Sequence, residues 1–172
     1  MKKLLFLILP FLLVSCTEEW LTAGFEHQFD GRFEVSAEPG SGEYTFDSET
    51  IELGVMDKIQ RRNLADMSGA ELRTVSLEIA EESPVHWHSF TTANLYMLVD
   101  GEAVLMATQD KIAEETGLSL DLMVRANEEE LMQFLDSKYG QVRLVLTSDK
   151  DLDVEFVINM VAGVSITAFP HK

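Results

Sequence analysis

Two imidazoles flank one indole at His86-Trp87-His88. Read as a strand, this spacing directs both rings to one side, because side chains alternate with a period of two. Paired imidazoles can chelate a metal ion, but zinc takes three or four protein ligands in most sites. The other His are His27 and His171, and Glu81, Glu82 and Asp100 are the carboxylates considered as oxygen ligands. No spacing ties any of them to the pair. His86 and His88 are therefore weak candidate metal ligands, and the competing readings are a polar loop after Pro84 or a satisfied His pair at a strand start. No cofactor is implied.

The acidic runs are Glu114-Glu115, Glu128-Glu129-Glu130 and the stretch from Asp149 to Asp153. Asp149-Lys150-Asp151-Leu152-Asp153 alternates carboxylates like the opening of a calcium loop. It lacks the glycine and distal glutamate such a loop needs, and Lys150 interrupts it. A solvated turn is the simpler reading. Ser41 lies between Gly40 and Gly42, in a turn too small for a nucleophile elbow. No phosphate loop, dinucleotide fingerprint or zinc-protease helix is present. The acid pair of a glycosidase would come from distant strands and leave no local spacing. An enzyme is thus the less favoured reading, and no catalytic residue is assigned.

The chain holds one cysteine, Cys16, so it cannot form an internal disulfide. Lys2 and Lys3 precede an apolar run from Leu4 to Val14, broken only by Pro10. A membrane span needs about 20 residues, which this run does not reach. It fits the apolar core of a secretory signal peptide. The run ends in Leu13-Val14-Ser15-Cys16. That ending resembles the lipobox of bacterial lipoproteins: an apolar residue, a permissive one, a small one, then Cys. The resemblance implies cleavage before Cys16 and a diacylglycerol on its thiol, with palmitate among the acyl chains. Two or three chains hold a protein stably to a bilayer, where one holds it only marginally. Thr17-Glu18-Glu19 follows, and an acidic pair there resembles the surface-export signal of some Gram-negative lipoproteins. Residues 1–15 are read as signal peptide, 16–28 as lipidated tether and 29–172 as one domain. The location implied is the outer membrane, lipid-anchored, on its periplasmic or cell-surface face.

The charge balance supports the lipid, rather than a basic patch, as the anchor. The net charge is −17, from 30 acidic and 13 basic residues, and cleavage would remove Lys2 and Lys3 but no carboxylate. Nucleic acid is excluded as a partner, since phosphate binding needs clustered Lys and Arg. A 46% hydrophobic chain of this length is long enough to bury one sizeable core.

The elements that must position these residues are mostly strands. Gly31 to Glu38 alternates, with Phe33, Val35 and Ala37 on one side, and Trp20 to Gln28 reads as linker. Pro39 to Gly42 is a turn, and Tyr44 to Leu53 resumes as strand. From Val55 to Met67 the period changes to that of an amphipathic helix, ending near Ser68-Gly69. Val75, Leu77 and Ile79 alternate again. Asn94 to Val99 and Glu102 to Thr108 flank Asp100-Gly101, a two-residue hairpin signal, and are apolar on both faces, as central strands are. Leu118, Leu120, Leu122 and Val124 predict another strand. Asn127 and Glu130 predict a capped second helix with Leu131, Phe134 and Leu135 on its apolar face and Gly140 at its end. Val142, Leu144 and Leu146 follow as strand. Every even position from Leu152 to Ala168 is apolar. A strand of that length would span about 55 Å, against a usual 17–20 Å. It therefore either bends near Ala162-Gly163 to serve two sheets or comprises two strands.

These elements predict a mostly β domain, an antiparallel β-sandwich, Ig-like in architecture, with two short helices. The function this best suits is an anchored interaction module whose partners are the membrane, through the lipid, and another envelope protein or a glycan. The alternatives are an apolar-ligand or lipid-handling lipoprotein, with Met97, Met106, Met123 and Met160 as adaptable pocket lining, and an unrecognised hydrolase. If the acidic pair directs surface export, replacing Glu18 and Glu19 with Ala will lower protease accessibility on intact cells without altering the unfolding midpoint. Unchanged shaving would reduce the pair to a solvated tether.

Overall fold

The structure is a computed structural model that describes residues 22–37 and 40–171. Strands β1 (Ala23–Val35), β2 (Gly42–Asp47) and β3 (Ile51–Glu52) lead into helix α1 (Val55–Arg61) and strand β4 (Leu64–Ile79). A three-residue 3-10 turn, Trp87–Ser89, precedes β5 (Thr92–Val99) and β6 (Glu102–Gln109). Then come β7 (Ser119–Asp121), β8 (Met123–Val124), α2 (Glu128–Asp136), β9 (Tyr139–Gly140), β10 (Val142–Ser148) and β11 (Phe156–Pro170). A four-stranded sheet, β1-β11-β4-β7, packs on a five-stranded one, β2-β10-β5-β6-β8, and β3 pairs with β9. Pairing is antiparallel throughout, and the fold is a β-sandwich with two short helices. Among the described residues, no helix is long and apolar enough to cross a membrane.

The last strand is the axis of the larger sheet. All even positions from Phe156 to Ala168 are buried. β11 is one continuous strand of 15 residues lying between β1 and β4. It neither changes sheet nor divides, contrary to both sequence expectations. The irregularity at Gly163 belongs to its neighbour: β4 carries an extra residue, Arg73, between the partners of Gly163 and Val164. A side chain at 163 would meet Thr74 Oγ1 at 2.7 Å, so glycine here serves close approach and not a bend.

β1 begins at Ala23, which corrects the linker assigned to residues 20–28. Ala23 to Gln28 pair with Gly163 to Ala168 of β11. The inward face of β1 carries Phe25, His27, Phe29, Gly31 and Phe33, and two exceptions disguise its period. His27 Nε2 donates to the Leu53 carbonyl at 2.5 Å, which satisfies a polar group on the apolar side. Gly31 faces the Met160 side chain and Ile51, and a Cβ there would lie 2.9 Å from Met160 Cε. At the strand's end Ala37 is exposed and outside the sheet.

α1 also ends early. Its first two turns bury Val55 and Ile59 as expected, but Asn63 adopts φ +56 and reverses the chain. Asparagine tolerates that left-handed conformation better than most residues. Leu64 to Gly69, expected in the helix, begin β4. The strand is hard to read because it carries three register shifts, at Arg73, at Ser68 and between Leu64 and Met67, and each moves the inside-outside phase by one. The predicted strand at 118–125 is two strands in different sheets: β7 joins β4 and β8 joins β6. Tyr44 to Leu53 is likewise divided, into β2 and β3.

The hairpin and second-helix readings hold. Asp100 and Gly101 both have positive φ, as a type I′ turn requires. Asn127 Oδ1 accepts from Glu130 N at 2.9 Å, and Glu128, Glu129 and Glu130 occupy the first turn, where carboxylates complement the helix dipole. The helix stops at Ser137, before Gly140. Gly140 lies in β9, where a Cβ would fall 2.7 Å from the Phe134 ring. On the surface, Arg143 donates to Asp47 from Nε at 2.6 Å and from a terminal guanidinium nitrogen at 2.9 Å, tying β2 to β10. This bond holds the Asp47 carboxyl below the usual carboxylate range.

Phe156 is 6% exposed, and Asp153 and Glu155 face water. Truncating Phe156 to Ala will cost about 3–5 kcal/mol in urea unfolding. Glu155→Ala will cost less than about 0.5 kcal/mol. Equal small losses would contradict the packing described.

Candidate functional site

Trp87 builds one end of the molecule. Its ring is fully buried, 5.8 Å from Phe90, which in turn lies 6.1 Å from Phe156 at the start of β11. The indole Nε1 donates to the Leu118 carbonyl at 2.8 Å, and the Trp87 backbone N–H donates to Gly117 O at 3.0 Å. Two chain segments are thus pegged together through the ring and the backbone of one residue. The flanking backbone coils into the 3-10 turn, so the strand on which the chelating reading depended is not formed and the segment is a turn after Pro84. The His86 and His88 rings nevertheless stack, with centroids 5.5 Å apart and planes 16° apart.

Beside this turn opens a cleft of about 740 Å³. Its walls include His88, Phe90, Lys111, Glu114, Glu115 and Lys150. Ile112 N donates to Thr91 O at 3.0 Å and its side chain is buried, which fastens the loop after β6. Buried Ser148, next to the cleft residue Asp149, donates from Oγ to Ser89 O at 2.8 Å and accepts from Lys150 N at 3.0 Å. Asp151 accepts from Gly40 N at 3.1 Å, which joins the β1–β2 turn to the same end. Ion pairs among the described residues do not include the cleft lysines or carboxylates, so both signs of charge remain available to a ligand.

The other sequence candidates are dispersed. His27 and His171 lie at the opposite end, on β1 and just beyond β11. Asp100 also lies there, accepting from Gln133 Nε2 at 2.6 Å. Glu81 and Glu82 are exposed in the turn after β4. Among the described residues, no group of three or more His, Cys, Asp or Glu is placed to hold a metal ion. Asp149 is the exception: on an exposed turn with Asp151, it lines the cleft together with His88, Glu114 and Glu115. Met97, Met106 and Met160 are buried in the core, while Met123 is exposed on β8. Cys16, Glu18 and Glu19 lie outside the described residues. Sequence reading singled out His88 but did not join it to Lys111 and Lys150. Tertiary packing alone brings these residues together across separations of tens of residues.

The two ends of the sandwich are therefore unlike. One carries the His86–His88 stack and the charged cleft. The other carries the start of β1, the end of β11, the Asp100-Gly101 hairpin and both α-helices. A 15-residue strand separates them by about 50 Å.

No protein-family model matches the sequence, and no curated protein matches it. Among solved structures the chain is similar to the decameric BFDV capsid protein, at 10% identity and a TM-score of 0.37, covering 85% of this chain and 99% of that one. That likeness bears on neither fold nor function.

Replacing Trp87 with Phe will keep most of the ring packing and remove the indole's bond to Leu118 O, which still accepts from Ile79 N at 2.8 Å, so the cost is that of one ordinary hydrogen bond, about 0.5–1.5 kcal/mol. Trp87→Ala will cost about 3–5 kcal/mol. Denaturant unfolding of both variants measures this. Near-wild-type stability of the Ala variant would show that the turn is held by something else.

Proposed function

We propose that the protein is an outer-membrane lipoprotein, anchored through Cys16, whose β-sandwich acts as a binding module for another envelope component. The observation that carries this reading is the order of features at the N-terminus. A basic pair, an apolar run and Leu13-Val14-Ser15-Cys16 are followed within seven residues by the first strand of the domain. Such a chain is held close to its anchor, so one end of the sandwich is committed to the membrane side. The end bearing His88, Lys111 and Lys150 then projects outward, where a protein or glycan partner can meet it. Function is assigned here from this placement, since a sandwich by itself implies none.

The packing favours binding over lipid carriage. Trp87, Phe33, Phe90, Leu53 and Leu95 are among the fully buried side chains that fill the interior. The described clefts open to solvent and carry mixed polar and apolar walls, unlike the mostly apolar cavities that enclose small ligands.

Cys16→Ser will abolish incorporation of labelled palmitate in cells and release the protein from the membrane fraction or leave it uncleaved. Equal labelling of wild type and variant would refute the anchor. Lipid extraction of the purified wild-type protein tests the lipid-carrier alternative, for which stoichiometric non-covalent lipid would be required.

A further inference from the structure

β1 is an open edge of the larger sheet, paired with β11 on one side only. It runs 13 residues with no register shift and no proline. Natural sheets usually blunt their edges with short strands, bulges or proline. The other edge strands here, β2, β7 and β8, are six, three and two residues long. The direction of the free groups on β1 follows from the far side of β11. Ala80 N, just past β4, donates to Val157 O at 3.0 Å. The N–H and C=O of one strand residue point to the same side, and successive residues alternate. Odd residues of β11 therefore turn their main chain toward β4, and even ones toward β1. Those even residues pair with odd residues of β1, as Ile158 does with Phe33. Gly24, Glu26, Gln28, Asp30, Arg32 and Glu34 thus aim their main-chain groups at the free edge, and all are exposed. Among the described residues, the Glu26 carbonyl alone has a partner there, Lys58 Nζ at 2.6 Å. From Gln28 to Glu34 the edge is open.

We propose that this edge binds an extended segment of a partner protein that carries Lys or Arg at alternating positions, added to the larger sheet as a further strand. The proposal stands apart from the lipid anchor and from the cleft beside His88. Main-chain bonds supply the attachment, and charge selects the segment. Asp30 and Glu34 project from the outward face of β1, opposite the side chains that an added strand would place there. Arg32 lies between them, 3.7 Å from Glu34. Under the same edge a cleft of about 410 Å³ opens between β1 and residues 49–52, with Glu49 and Glu52 on its wall. Against Asp30, Glu34, Glu49 and Glu52 stand Arg32 and Lys138, the latter beside Glu52. Lys58 is taken up at the Glu26 end. The stretch is therefore acidic, in keeping with the −17 of the whole chain. Ile51 and Met160 line the same cleft, so the inward side chains of an added strand meet apolar contacts. A segment that alternates basic with apolar residues matches both faces. A second copy of this chain is the poorer occupant, because it would bring another −17 and its own edge carboxylates.

The test uses the full-length protein in detergent micelles and short synthetic peptides that alternate lysine with valine, or glutamate with valine. Hydrogen exchange is read amide by amide by NMR. The lysine peptide will slow the amides of Gln28, Asp30, Arg32 and Glu34 several-fold. Those of Phe29, Gly31 and Phe33, already bonded to β11, will change little. The glutamate peptide will have no effect, and neither will a lysine peptide N-methylated at its lysines, which cannot donate to the edge. Asp30→Lys with Glu49→Lys, both exposed, will weaken the lysine peptide several-fold at an unchanged unfolding midpoint. Equal slowing by the lysine and glutamate peptides overturns the charge selection, and equal slowing by the N-methylated peptide overturns main-chain pairing. No slowing by any peptide overturns the proposal outright, as does slow exchange at the four amides in the free monomer, which would mean the edge is already covered. Protection that rises with protein concentration, with a dimer in sedimentation, gives the edge to a second copy and overturns the proposed partner.

Discussion

β11 presents seven buried side chains along one face, from Phe156 to Ala168, and apolar surface of that extent must be covered along its whole length. The strand spans about 50 Å, while the central strands of the facing sheet run only seven or eight residues. Those strands cover the half near Phe156 and Ile158. The other half, around Val164, Ile166 and Ala168, needs a different cover. α1 and α2 both pack on β4 at that end, contributing Val55, Ile59, Leu131, Phe134 and Leu135 to the core. Phe134 reaches Phe29 of β1 at 6.0 Å. The two helices are thus lids on an overlong sheet, and their short lengths match the gap they fill.

The same mismatch makes the ends of the molecule different. Where the two sheets match in length, loops close the sandwich, and Trp87 pegs them into a turn and a charged cleft. Where the larger sheet overhangs, helices close it, and their solvent faces bring Lys58, Arg61 and Arg62 beside the entering chain. The difference between the two ends is a by-product of covering β11.

Most strands were legible because a half-buried strand writes its period into the chain. β10, the 75–79 stretch and β11 alternate cleanly, and the Asp100-Gly101 turn announces its own conformation. α2 was legible from its cap. The misreadings share a cause. His27 and Gly31 interrupt the β1 pattern because their partners, Leu53 O and Met160, come from distant elements. Ser68 and Arg73 bulge out of β4 and a further shift lies between Leu64 and Met67, so the phase slips three times, and the apparent helical spacing of Val55, Ile59 and Met67 outlasts the helix. Leu118 to Val124 keep one phase while the chain passes from one sheet to the other.

The amino-acid sequence by itself determined the apolar run before Cys16, the acidic balance, the alternating faces and the caps and turns, because each can be read from composition or from neighbours a few residues apart. Tertiary structure alone decided that the last strand stays in one sheet, that residues 23–28 belong to the domain, and that His88, Lys111 and Lys150 share a cleft. It also placed α1 beside Phe25 at the entering chain. The physical reason is that period and phase are local properties of the backbone. Which strand pairs with which, and which end a loop occupies, depends on burying surfaces separated by up to more than a hundred residues of chain.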